Sequence, residues 1–270
     1  MLTFPQQLER IRQALCAQEP ALQAVACCYA DAIAAGGLVH LYANGHSLMT
    51  VCETVVRMGA LTGFRGVLAD GLTRFADVVG SNGIRVNQHF EKYESIGDKL
   101  LDEIDFGPKD VLTVISATGQ TQAAVDTALA FTRRYPHLPL VVIACREQAA
   151  TAPAKHSSGK TLFHVVQEAR HGHFLDNGMP VGDLTTSIQG KTGSYRVCPL
   201  SSLGAISVSQ CLNELTAREL DRRGVAPVIL QNMHLNQTQV NYDEWLRDQR
   251  RRYAHALHHP QSAPPASGAR

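Results

Sequence analysis

The sequence predicts an α/β protein, a mostly parallel sheet with helices on both faces, and three observations carry that prediction. Short apolar runs at residues 38–43, 111–115 and 139–144 read as buried strands. The first two lead through turns rich in Gly, Ser and Thr into helical patterns, one reaching Met58 and the other covering residues 122–134. Strands alternating with helices of about ten or more residues need crossover connections, and crossovers make a parallel sheet. Ligands of such sheets collect at the carboxyl ends of strands, where both turns fall.

The remaining elements follow in order. Residues 6–35 repeat apolar positions at helical spacing (Leu8, Ile11, Leu15, then Leu22, Val25, Tyr29, Ile33), with Glu19-Pro20 dividing two helices and Gly36-Gly37 ending the second. Residues 151–160 are small and polar and read as a loop, and residues 174–180 read as a strand end entering a turn. The longest later helix spans residues 201–223, closed by Gly224 and followed by Pro227. A last helix covers 243–257, and residues 259–270 lack the apolar side chains to pack, which predicts a disordered tail.

Composition narrows the function. With 270 residues and 44% hydrophobic content, the chain can bury a core as one large domain or two small ones. The formal net charge of +1, from 25 Lys and Arg against 24 Asp and Glu, gives no broad footprint for nucleic acid or an anionic membrane. A bound anion must therefore be caught locally. The seven cysteines include no C-x-x-C pair and mostly fall in apolar stretches, so they are expected as reduced core thiols. No window reaches the roughly 18 uninterrupted apolar residues of a membrane span, so the expected location is the cytoplasm.

Two turns carry the chemistry. In Ser116-Ala117-Thr118-Gly119-Gln120-Thr121, three hydroxyls and a glycine sit at a strand-to-helix junction, where the first N–H groups of the helix are also free. Those donors form an anion cup suited to phosphate, although a single Ser or Thr there would serve equally as a helix cap. The other turn is Asn44-Gly45-His46-Ser47, in which Gly45 admits a close ligand, Ser47 can donate to a sugar hydroxyl or phosphate, and His46 can move a proton near neutral pH. His46 could equally cap the helix or face solvent.

The ordered set Gly45-His46-Ser47-x-Met49, Ser116-x-Thr118-Gly119-x-Thr121, Leu175-Asp176-Asn177 and Pro180-x-Gly182-Asp183 resembles the SIS (sugar isomerase) family of phosphosugar-binding proteins. The likeness is to a branch often called phosphosugar or phosphoheptose isomerases, and it runs over residues 5–255, through Gln231-Asn232 and the last helix. It implies a three-layer sandwich on a five-stranded, mostly parallel sheet with the N-terminal helices packed on it. One domain is expected over residues 1–258, comprising helices in 1–35, an α/β core in 36–235 and a helix in 239–258. It further implies that Ser116, Thr118 and Thr121 bind the phosphate and Ser47 lines the sugar. Asn44, Gly45, Arg57, Gly119, Asp176, Asn177 and Asp183 complete the expected binding set. The implied ligand is a small anionic sugar, phosphate or sulfonate, held without a cofactor or metal by a homodimer or homotetramer. The two N-terminal helices offer an apolar stripe for assembly, or for the sheet's own core.

One position departs from the family. Phosphoheptose isomerases and muramic acid phosphate etherases place a catalytic Glu ten residues after the first-loop serine, where this chain has Arg57. Glu53, one turn earlier, could reach the same pocket or simply pair with Arg57 at i,i+4. Glu214, in the apolar stretch of the long helix, is expected to be buried with its pKa raised toward a useful base. Some relatives supply a catalytic His from that helix; this chain has none between residues 201 and 223. Glu91-Lys92-Tyr93-Glu94 reads as a solvated helix face, and Asp176 and Asp183 bracket a turn that either could merely stabilise. His171-Gly172-His173 lacks further ligands for zinc, the histidines at 255, 258 and 259 lie near the tail, and no G-x-G-x-x-G motif is present. The expectation is an aldose–ketose isomerase with Glu53 or Glu214 as base and His46 as acid or ring-opener. A lyase or deglycase, or a non-catalytic sensor, stands as the alternative.

Overall fold

The computed structural model describes residues 3–55, 57–69, 89–230 and 242–254. Five strands form one parallel sheet: β1 (Val39–Ala43), β2 (Phe64–Val67), β3 (Val111–Ile115), β4 (Leu140–Ala144) and β5 (Gly172–Asp176). Their order is β2-β1-β3-β4-β5. The three central strands are buried along their whole length, which is why each reads as a continuous apolar run. Side chains alternate between two cores. Val39, Leu41, Ala43, Val111, Ile115, Val141 and Ile143 pack on one face with α2 (Glu19–Ala34) and the long helix Ser201–Arg222. Leu112, Val114, Leu140 and Val142 pack on the other with the helices Gln122–Arg134 and Leu162–Glu168.

In chain order the helices are α1 (Phe4–Ala17), α2, α3 (Leu48–Thr54), α4 (Ile96–Asp102), α5 (Gln122–Arg134), α6 (Arg146–Thr151), α7 (Leu162–Glu168), α8 (Ser201–Arg222) and α9 (Tyr242–Ala254). The chain thus has the three-layer α/β architecture the sequence predicted. Within the sheet's inner face Tyr29 and Thr113 share a fully buried hydroxyl hydrogen bond of 2.6 Å. At the amino ends of β1 and β3, Asp110 accepts from Leu38 N (2.8 Å) and Gly107 N (2.9 Å), with His40 Nε2 at 2.8 Å. Both His40 and Asp110 are fully buried.

Several expectations change. The helix after β1 stops at Thr54 rather than Met58, because Val55 turns to extended backbone (φ −90°, ψ 125°). A hairpin absent from the sequence reading, β6 (Leu184–Gly190) and β7 (Gly193–Pro199), stands between β5 and α8. All seven cysteines are free, but only Cys145 is buried, while Cys16 and Cys52 are exposed, because they fall on outward helix positions. The apolar stripe of α2 is consumed by its own sheet, where Leu22, Val25, Tyr29 and Ile33 are buried; Leu8 of α1 stays exposed. Residues 231 and 232, the histidines at 255, 258 and 259 and the segment 259–270 lie outside the described residues. No described helix is long and apolar enough to cross a membrane.

Candidate functional site

In a sheet ordered 2-1-3-4-5, the chain leaves β1 toward one edge and β3 toward the other, so their carboxyl ends open a crevice. A cavity of about 300 Å³ occupies that crevice. Asn44, Gly45, His46 and Ser47 enter it from the turn after β1, and Ser116, Ala117, Thr118 and Thr121 from the turn after β3. Asp183, Pro199, Ser201 and Ser202 close it from the base of the hairpin and the start of α8, and Glu91 enters from the segment before α4. Among the described residues no Lys or Arg lines it.

The turn after β3 is shaped as a set of donors. Gly119 adopts φ +73°, a left-handed conformation that costs other residues about 1–2 kcal/mol, and its N–H donates to Ser116 Oγ at 3.1 Å. Gln120 N–H reaches Thr118 Oγ1 at 3.3 Å, so both hydroxyl oxygens accept locally and keep their protons for an outside acceptor. Thr121 stands at the N-cap of α5, yet its side chain makes no capping bond. Among the described residues the N–H groups of Ala117, Thr118 and Thr121 have no acceptor. Asn177 braces this turn from outside the cavity: its Nδ2 donates to Ala117 O at 3.0 Å, and its Oδ1 accepts from Met179 N at 3.1 Å.

Asn44 is 8% exposed, and neither polar atom of its amide has a hydrogen-bond partner of good geometry, although the buried Tyr42 hydroxyl faces it. Ser47 is buried at the cavity wall, whereas His46 is exposed at its mouth. Asp183 has φ +66°, and its carboxylate accepts from Leu200 N (2.8 Å), Ser201 N (2.7 Å) and the Ser201 hydroxyl (2.7 Å). It thereby caps α8, whose own N-cap side chain does not. Glu91 is half-buried; burial pushes its carboxyl above the ordinary carboxylate range, with Lys155 acting in the opposite direction.

The cavity does not gather every expected residue. Glu53 and Arg57 pair with each other at 2.9 Å and line no part of it. Glu214, expected to be buried, has a side chain 62% exposed and paired with Arg218, because α8 turns its buried stripe (Val208, Leu212) to the sheet and Glu214 away. Asp176 lies outside the cavity and accepts from Arg146 N (3.1 Å) and Gly178 N (3.3 Å), the turn chemistry open to it from sequence. Gly119 shapes its turn without lining the cavity. Sequence reasoning missed Glu91, Ser201 and Ser202. The paired serines after Pro199 at a helix start were a visible signal for the last two, while Glu91 sat in a charged run that resembled a solvated face. His173 packs with Cys28, its Nε2 3.6 Å from Sγ, and among the described residues no cluster of His, Cys, Asp or Glu could hold a metal.

A parallel sheet with a donor-lined crevice at its switch point places this chain among the α/β domains whose ligand site lies at the carboxyl ends of the strands. Residues 3–135, just under half of the chain, match the family model described as "SIS domain", so that stretch of the chain is an SIS domain. It is 26% identical over 200 residues to a protein of Listeria monocytogenes named UPF0309 protein, covering 74% of this chain and 75% of that one. A UPF0309 protein of Geobacillus thermodenitrificans is 22% identical over 247 residues, 90% of this chain and 92% of the relative. Among solved structures, a phosphoheptose isomerase from Francisella tularensis is similar with a TM-score of 0.47 and 12% identity, over 80% of this chain and 94% of that one.

Proposed function

We propose that this protein binds a phosphorylated or sulfonated sugar in the crevice and isomerises it between aldose and ketose by proton transfer. Ser116, Thr118 and Thr121, with the free N–H groups of their turn, hold the anion. Asn44 and Ser47 line the sugar. Glu91 takes the proton from the carbon beside the carbonyl while His46 delivers a proton to the carbonyl oxygen, after opening the ring where the sugar is cyclic; His46 then takes back the proton of the neighbouring hydroxyl, which becomes the new carbonyl, as Glu91 returns its proton to the former carbonyl carbon. The observation that carries this reading is the arrangement of one carboxyl with a raised pKa in the same cavity as a turn of unpaired donors. Glu91 replaces Glu53 and Glu214 as the base in this proposal because both of those face solvent outside the cavity.

The test begins with thermal stability against a panel of sugar phosphates and one sulfonated hexose. A ligand at 100 times its dissociation constant adds about 2.7 kcal/mol. The stabilising compound is then incubated in deuterated water. Wild type should incorporate deuterium beside the carbonyl and form the isomer, and Glu91→Gln should bind at least as tightly and do neither. Full turnover by Glu91→Gln would remove Glu91 from the mechanism, and no shift across the panel would remove the anionic sugar.

A further inference from the structure

We propose that Glu94, seated on the turn at residues 156–158, is the positioning residue that holds Glu91 in the cavity. The inference rests on the role of Glu91 given above. Glu94 has no contact with the cavity; its carboxylate accepts from Ser157 N at 2.8 Å, from the Ser157 hydroxyl, and from Gln122 Nε2 at 3.3 Å. His156 Nε2 lies 3.8 Å from Glu94 and 3.4 Å from Asp126 Oδ1. Ser158 N–H donates to His156 Nδ1 at 3.1 Å, which leaves the proton of a neutral ring on Nε2, directed at those carboxylates. Asp126 in turn accepts from Gly97 N at 2.6 Å.

The segment bearing Glu91 is therefore tied down at that residue and at two points after it in the chain. Its own carbonyl accepts from Ala123 N–H in the first turn of α5 at 3.0 Å. Three residues on, Glu94 grips the 156–158 turn, and at Gly97 the backbones touch so closely that a Cβ would lie 2.7 Å from backbone atoms of Asp126 and Thr127. Glu91 owes its burial to this seating, since the segment's own charged sequence would carry it into water. Lys155, immediately before that turn, is a cation acting on Glu91. His46 and Asp183 share the cavity with Glu91, Lys155 and the Tyr42 hydroxyl interact with it electrostatically, Asp126 and His156 stand behind it against Glu94, and Lys92 and Glu94 lie on its own segment.

Two readouts test the proposal on the full chain. Amide hydrogen exchange of residues 89–97 should rise about tenfold or more in Glu94→Gln, and rise in Ser157→Ala, which changes no charge, while residues 111–115 keep wild-type protection. Sulfate, whose ionisation state is constant over the range used, serves as the probe for the second. Its affinity for wild type should fall as pH rises through the titration of Glu91, the inflection should vanish in Glu91→Gln, and it should move to lower pH in Glu94→Gln and Ser157→Ala. A merely structural Glu94 would alter stability and leave that inflection in place. Wild-type exchange and an unmoved inflection in both variants would overturn the proposal. If sulfate fails to bind wild type at all, the anion cup is refuted and the exchange result alone decides the role of Glu94.

Discussion

Replacing Gly119 by Ala puts the shape of the anion cup under direct strain. The residue sits at φ +73°, and a Cβ built on it would lie 2.7 Å from Ala149 Cβ. The backbone conformation costs an L residue about 1–2 kcal/mol. Carbon atoms prefer separations of about 3.5–4.0 Å, so the turn and α6 must part by about 1 Å, an overpacking cost of about 1–3 kcal/mol. The total, about 2–5 kcal/mol, corresponds to a fall in Tm of about 5–15 °C for a chain of this size. The parting also breaks the bond from Leu162 N to Gly119 O (2.9 Å) and the bond from Gly119 N to Ser116 Oγ, so sulfate affinity should drop with stability. Gly159 provides the control, for it has φ +71° with nothing within 4 Å of its Cβ, and Gly159→Ala should lose the backbone cost alone and keep full affinity. Urea unfolding and calorimetric titration with sulfate measure both quantities. A Gly119→Ala protein as stable as Gly159→Ala, with wild-type affinity, would refute the account of this turn.

Three further outcomes follow from the same geometry. Asn44→Leu removes a buried amide that makes no hydrogen bond of good geometry, so the ligand-free protein should hold or gain about 1 kcal/mol in urea unfolding while the stabilising sugar phosphate loses affinity; a clear loss of stability would mean the Tyr42 hydroxyl satisfies the amide within the protein. Asp183→Ala removes the remote cap of α8 and should cost about 1–2 kcal/mol, with faster amide exchange confined to the hairpin base and the first turn of α8. Burial opposes ionisation of Asp110, yet the bonds from His40, Leu38 and Gly107 outweigh it and hold its carboxyl below the ordinary value. A depressed folded pKa gives stability that is complete above the unfolded value of about 3.9 and is lost as pH falls through the folded one. The urea midpoints of wild type and Asp110→Asn should therefore converge below about pH 4, and a gap that stays constant from neutral pH to pH 3 would contradict this.

What could be read in advance tracks how much of each element is buried by its own layer. The runs at 111–115 and 140–144 lie in the sheet's centre, covered on both faces, so burial itself wrote them as continuous apolar strands. The hairpin 184–199 left no such mark because most of β6 and β7 is exposed, and Thr, Ser and Gln can occupy both of its faces. Turn chemistry was legible at Ser116–Thr121 because local backbone geometry fixes it. The placement of Glu91 was not, since it depends on Ser157, His156 and Asp126, residues 35 to 66 positions away in sequence that meet its segment only through the folded sheet. Glu214 failed for a related reason: an apolar stretch marks a helix as packed, but whether one member of it points inward depends on a rotation set by α2 and β4.

The absence of fixed positive charge in the described cavity bears on how the proposed reaction could work. A Lys or Arg in the cup would attract the sugar's anion, and at this range it would also stabilise ionised Glu91 and weaken it as a base. Neutral donors bind the anion without that effect, so the ligand's own charge remains partly uncompensated and raises the proton affinity of Glu91 further when it is bound. Binding and basicity then increase together in one step. Lys155 opposes the raised proton affinity from outside the cavity, in free and bound protein alike, so Lys155→Met should move the Glu91 titration to higher pH in both, followed as the pH dependence of sulfate affinity. An inflection left at its wild-type pH in Lys155→Met would show that the charge governing Glu91 lies elsewhere.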